Sequence, residues 1–156
     1  MGIKFRGKAV ETFWDSTKEA WEYGKRGDWV YGYLVGRHDG KHYIVTSTIG
    51  CHSTNLINNM LCSGVMIDPA TVGQYTGLKD KNEVESYHKD IVRTNAGHIG
   101  VVEFGSHNPT GNEWDNAWGW FIQFPNGGQA SMDEHFGYWG EVIDNIHKNP
   151  GLLEVD

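Results

Sequence analysis

The sequence predicts a mainly β protein, with an N-terminal β lobe over residues 1–67, a small barrel over residues 68–156, and one short helix. Three observations predict it. The β-branched pairs Ile91-Val92 and Val101-Val102 favour strands, and Thr94-Asn95-Ala96-Gly97 between them has the length and composition of a hairpin loop. Arg37-His38-Asp39-Gly40, with its Asp-Gly pair, separates two further strand-like runs. Pro125-Asn126-Gly127-Gly128 is a strong turn after an aromatic strand. Short strands joined by tight turns are the pattern of a small barrel.

Taken in order, Ile3-Lys-Phe-Arg-Gly-Lys-Ala-Val10 alternates apolar and polar residues. It reads as a strand with Ile3 and Phe5 inward and Lys4 and Arg6 outward. Thr12 to Lys25 places Trp14, Lys18 and Trp21 at helical spacing, Ser16 with Glu19 offers a capping box, and Gly24 and Gly27 are stops. This segment is a short helix or a long hairpin loop. Asp28 to Val35 and Lys41 to Thr48 form the clearest hairpin. Cys51 to Asn59 is polar and irregular, and Leu61 to Ile67 reads as a strand interrupted at Ser63-Gly64. The two lobes are expected to divide near Asp68-Pro69. Lys79-Asp80-Lys81-Asn82 is rich in turn formers and is expected on the surface. Gly105 to Glu113 is a loop by composition. Trp118 to Phe124 is a strand whose Trp118 and Trp120 share one face, expected to be core. His135 to Trp139 opens the last ordered part. Val142, Ile143 and Ile146 mark a final strand, stopped at Pro150.

Thr71-Val-Gly-Gln-Tyr-Thr-Gly-Leu-Lys-Asp-Lys-Asn82 resembles the signature of the YopX family of phage and prophage proteins. Ile3 to Gly7, Asp28 to Tyr33, Gly140 to His147 and Asn149 to Leu153 match that family in order, so the resemblance spans nearly the whole chain. It is weaker from Ala9 to Lys25 and from His107 to Glu134. The resemblance implies phage origin, a mostly β fold and homo-oligomers, and it implies no reaction. Where the family pattern has Gly after Asp-Lys-Asn, this chain has Glu83, and where the family has Glu-Gly it has His88-Lys89. Only Gly takes φ > 0 without strain, and a Lys there costs roughly 1 kcal/mol. The turn is therefore expected to be rebuilt. The expected architecture is an SH3-like small barrel from about Asp68 to Ile146.

No apolar run approaches the ~18 residues of a membrane-spanning helix, and no apolar stretch of a secretory signal follows the basic start. Cys51 and Cys62 are too few for a disulfide framework, so a reducing bacterial cytoplasm is expected. The net charge of −7 is unevenly placed. From Thr94 to Asp156, Lys148 stands alone against nine carboxylates. Such a surface repels duplex DNA and attracts a basic protein.

The eight histidines lack metal-motif spacing: Asp39-Gly40 between His38 and His42 is a turn, and Cys51-His52 with Cys62 lacks a zinc pattern. No Walker loop, dinucleotide fingerprint or nucleophile elbow is present. The expectation is no catalytic residue, no metal and no cofactor. Trp114, between Glu113 and Asp115 in a Gly/Asn loop, is the candidate interface anchor, with Asp133 and Glu134 as further partner-binding carboxylates. The favoured reading is a non-catalytic accessory protein, an acidic inhibitor of a basic nucleic-acid-handling host defence or regulatory protein, with the carboxylates in place of phosphates. The first alternative is a nucleotide or nucleic-acid binder using Lys4, Arg6, Lys8, Lys25 and Arg26. The third is a metal-assisted hydrolase. Twenty aromatic residues also exceed what one small core covers, so self-association is expected.

Overall fold

The computed structural model describes residues 4–11, 13–14, 23–45 and 64–154. The chain is mainly β and forms two compact units, Met1–Gln74 and Tyr75–Asp156. Among the described residues no helix is long and apolar enough to cross a membrane.

In the first unit, β1 (Phe5–Ala9) pairs antiparallel with β4 (Trp29–Gly36), which pairs with β5 (His42–Val45), which pairs with β6 (Gly64–Lys79). The Arg37–Gly40 turn closes the β4–β5 hairpin through Arg37 N–H to Lys41 O and Gly40 N–H to Arg37 O. The short strands β2 (Phe13–Trp14) and β3 (Tyr23–Gly24) pair with each other. The helix considered for Thr12 to Lys25 would centre on residues 15–22, which lie outside the described residues, as do Cys51, His52 and Cys62. Ala9, Val30, Ile44, Val65 and Ile67 make this unit's core.

β6 is 16 residues long and runs through Pro69. It accommodates the proline by a register break against β1, which pairs with Asp68 at Lys8 and with Gly73 at Arg6. At such a break the missing N–H costs nothing. The buried Thr71 hydroxyl bridges it, donating to Asp68 O and accepting from Lys8 N–H. Arg6 does not face outward as the alternation predicts. It is 5% exposed, with its guanidinium 5.0 Å from the Trp29 ring centroid. An aromatic face and the aliphatic stem of Arg make that burial tolerable.

The second unit is a five-stranded antiparallel sheet of order β11-β10-β9-β8-β12. Its strands are β8 (Asp90–Thr94), β9 (Ile99–His107), β10 (Ala117–Gln123), β11 (Gln129–Ser131) and β12 (Gly140–Asn145). Four strands meander and the fifth returns beside the first. No ladder joins β11 to β12 among the described residues. A helical turn, α1 (Phe136–Trp139), precedes β12 and drops the fully buried Phe136 ring onto Val92, Val102, Ile122 and Met132. Gly140 is required there, because a Cβ would stand 2.0 Å from that ring. The short β7 (Glu85–Tyr87) pairs with the end of β6. The chain closes with a 3₁₀ turn at Pro150–Glu154.

The Lys79–Asn82 turn departs from expectation at one residue. Lys81 and Asn82 are exposed, but Asp80 is only 2% exposed. Its Oδ1 accepts the N–H groups of Asn82 and Val84 at 2.8 and 2.9 Å, and its Oδ2 accepts the Val142 N–H at 2.8 Å. Three backbone donors offset the desolvation of the carboxylate. One side chain thus shapes the turn and ties it to β12.

Candidate functional site

The β9–β10 hairpin carries most of the sequence-predicted site. Ala117 pairs with His107 and Trp118 with Ser106, leaving the nine-residue loop 108–116 beyond the ladder. His107 is buried at the loop's base, stacked on Phe121 at 4.6 Å and bonded to Ser131 Oγ at 2.6 Å. The loop is organised by its own polar side chains. Asn108 Oδ1 accepts the Gly111 N–H, Thr110 Oγ1 donates to Asp115 Oδ2, and Asn112 Oδ1 accepts the Trp114 N–H. Such side-chain-to-backbone bonds give an exposed loop a defined shape. Trp114 is 82% exposed, and Glu113 and Asp115 beside it are exposed too.

Trp118 is not in the core. It is 75% exposed, while Trp120 on the same face packs partly against the buried cluster. The face they share changes character along the strand, from Ile122 with no exposure to Trp118 in solvent. Between the two tryptophans, Gly119 pairs with Gly105 across the ladder, and both have φ in the left-handed range, 142° and 144°. Phe104, which the sequence marks only as a strand residue, completes the group. Its ring lies 5.8 Å from Trp118 and 4.9 Å from Trp120, edge to face in both cases, and it is 51% exposed.

The second acidic pair lies along the neighbouring strand. The Met132 N–H donates to Trp120 O just past the β10–β11 ladder, and Asp133 follows it. Asp133 and Glu134 are exposed. With His135, which sequence spacing did not single out, they offer ligand atoms within 4.8 Å of one another. Three consecutive residues in open water are a weak cation site, since nothing there displaces the hydration shell. A groove of about 480 Å³ lies at the opposite end of β9, lined by His98, Phe124, Pro125 and Leu153 among others, with His98 its one titratable side chain among the described residues. Of the N-terminal cations considered, Lys25 and Arg26 are exposed and Lys4 and Lys8 are half-buried.

A family model described as "YopX protein" matches residues 13–154. The chain belongs to the YopX family. The family is phage-associated, and the chain takes that association with it. No curated protein matches the sequence.

Within this YopX-family chain, the two substituted glycine positions keep the glycine backbone. Glu83 has φ 65° and Lys89 φ 72°, the left-handed conformation that glycine takes most readily. Each costs roughly 1 kcal/mol of strain and persists because its surroundings over-determine it. The Glu83 N–H is bonded to Asp80 O. The Lys89 N–H donates to Val102 O, its carbonyl accepts the Ile146 N–H, and its ammonium pairs with Glu103. His88 Nε2 also meets Glu103, at 3.0 Å, and its ring stands edge-on to Trp120 at 5.7 Å.

Partial burial pushes the Glu103 carboxyl up, but hydrogen bonds from Lys89 and His88, with their charges, outweigh it and hold the pKa below the ordinary glutamate range. A carboxylate with a depressed folded pKa stabilises above its unfolded pKa, and that contribution is lost as pH falls through the folded value. Glu103→Gln is therefore expected to cost no more than about 1 kcal/mol at ~pH 7, because a partly exposed pair is screened. The gap from the parent should narrow toward ~pH 3, as the carboxylate is protonated. Urea unfolding at both pH values measures it, and a gap that does not narrow sinks the assignment.

Proposed function

We propose that this phage-associated protein is non-catalytic and acts by binding a basic, nucleic-acid-handling host protein, as an inhibitor of host defence or regulation. The observation that carries the reading is the exposure of Trp114 and Trp118 on one hairpin whose loop is acidic. Large aromatics left in water beside carboxylates resemble the anchor and rim of an interface. The charge imbalance supports the same partner: nine carboxylates against Lys148 over the last 63 residues attract cations and repel phosphates. The nucleic-acid alternative is weakened by the burial of Arg6. Self-association belongs to the proposal as well, with β11 as the sheet edge offered to a second copy, since the Asp80 turn bonds to β12 at Gly140 and Val142.

Capture from a phage-infected host lysate, with and without nuclease, tests the reading. The expected result is a basic protein retained after nuclease, with no appreciable shift of random duplex DNA at physiological salt. Capture that vanishes with nuclease would favour the nucleic-acid alternative. Turnover of a phosphoester abolished by chelator would favour a hydrolase.

A further inference from the structure

We propose that the aromatic corner of Phe104, Trp118 and Trp120 receives an arginine side chain of the partner's basic segment; this rests on the reading above and names the chemistry that it recognises. Phe104 makes T-shaped contacts with both indoles and, with Trp118, is more than half exposed, so aromatic surface stays open to solvent beside a packed floor at Trp120. A cation over an indole face is attracted by the ring quadrupole, most strongly over Trp.

The surroundings supply charge for such a cation. Glu113 and Asp115 lie in the loop that leads into Trp118, and the exposed Glu134 lies just past the end of β11, the strand beside β10. From Thr94 to the end of the chain the only Lys or Arg is Lys148. On the Trp120 side, Lys89 and His88 both bond to Glu103. Neighbouring Arg93 and Lys81 share Glu141. Arginine fits this corner better than lysine. Its guanidinium is planar, more weakly hydrated, stacks on aromatic faces, and can still offer paired N–H groups to a carboxylate at the rim. An ammonium loses more hydration and stacks less well.

The test titrates the full chain with two nine-residue peptides, one of alternating Arg, Gly and Ser and the same sequence with Lys for Arg, followed by indole fluorescence and calorimetry. The Arg peptide is expected to bind at least about fivefold tighter. Trp118→Ala, at an exposed position, should keep the thermal transition and abolish the preference for Arg. The pair Asp133→Asn and Glu134→Gln should weaken both peptides alike and keep the preference. Equal affinities in the parent, or a preference that survives Trp118→Ala, would overturn the arginine site while leaving an acidic docking surface intact. A third peptide with Leu for Arg that binds tightest would make the corner an apolar anchor and also overturn it. Binding of no peptide would overturn both the site and the basic-partner reading.

Discussion

Asp80→Ala is expected to lower the unfolding free energy by about 3–5 kcal/mol. The residue is 2% exposed and its two oxygens accept three backbone N–H groups. Truncation leaves those donors without an acceptor where water does not reach the carboxylate, and each buried orphan costs about 1–3 kcal/mol. The loss is not confined to the turn, because Val142 lies 62 residues along the chain. Glu83 also relies on this turn to hold its left-handed backbone. Asp80→Asn keeps one acceptor oxygen and presents an amide donor to the N–H groups it would replace, so roughly half the loss is expected. Denaturant unfolding gives the energies, and hydrogen exchange at the amides of Asn82, Val84 and Val142 localises them. A loss below about 1 kcal/mol for Asp80→Ala would show that water reaches the donors and that the turn is not anchored this way.

The contrast between Asp80 and the Arg37–Gly40 turn shows what sequence reading reaches. The latter hairpin was legible because every signal is local: period-two alternation on each side and Asp-Gly between. Turn chemistry at Asp80 was equally legible, but its burial depends on β12 arriving from far along the chain, and no local pattern encodes that. Trp118 and Trp120 were correctly placed on one strand face. Spacing says which side chains share a face; it does not say where along that face the core ends. The boundary was set by Val102, Ile122 and Phe136, together with the glycine pair Gly105 and Gly119, whose register the sequence does not display. Arg6 fails for the same reason in the other direction: alternation faces it outward, and Trp29 from the next strand covers it. Sequence alone assigns Glu83 and Lys89 a strain cost at a left-handed backbone and does not show what offsets it. Their backbone partners, and Glu103 opposite Lys89, come from non-adjacent segments and outweigh about 1 kcal/mol of strain at each position.

Glu113→Lys combined with Trp114→Ala is expected to weaken binding of the captured basic partner at least about tenfold, some 1.4 kcal/mol, while leaving stability within about 0.5 kcal/mol of the parent. The two side chains are fit for this test because the loop does not use them to fold. Its bonds run through Asn108, Thr110, Asn112 and Asp115, and Trp114 contributes only its backbone N–H, which alanine retains. Asp115 is left in place because its carboxylate accepts the Thr110 hydroxyl. A single well-packed Trp at an interface supplies the required energy, and reversing one loop charge acts mainly on encounter and on the choice of partner. Association rates at low and high salt separate the two contributions: the charge effect shrinks with salt, and the loss of the indole does not. Arginine recognition at Phe104 and Trp118 would survive this double variant, so the peptide preference for Arg should persist even as protein binding falls. If the variant unfolds, Trp114 packs against something and the loop is structural. If it folds and binds the partner unchanged, the loop is a bystander and the interface lies on another face of the chain.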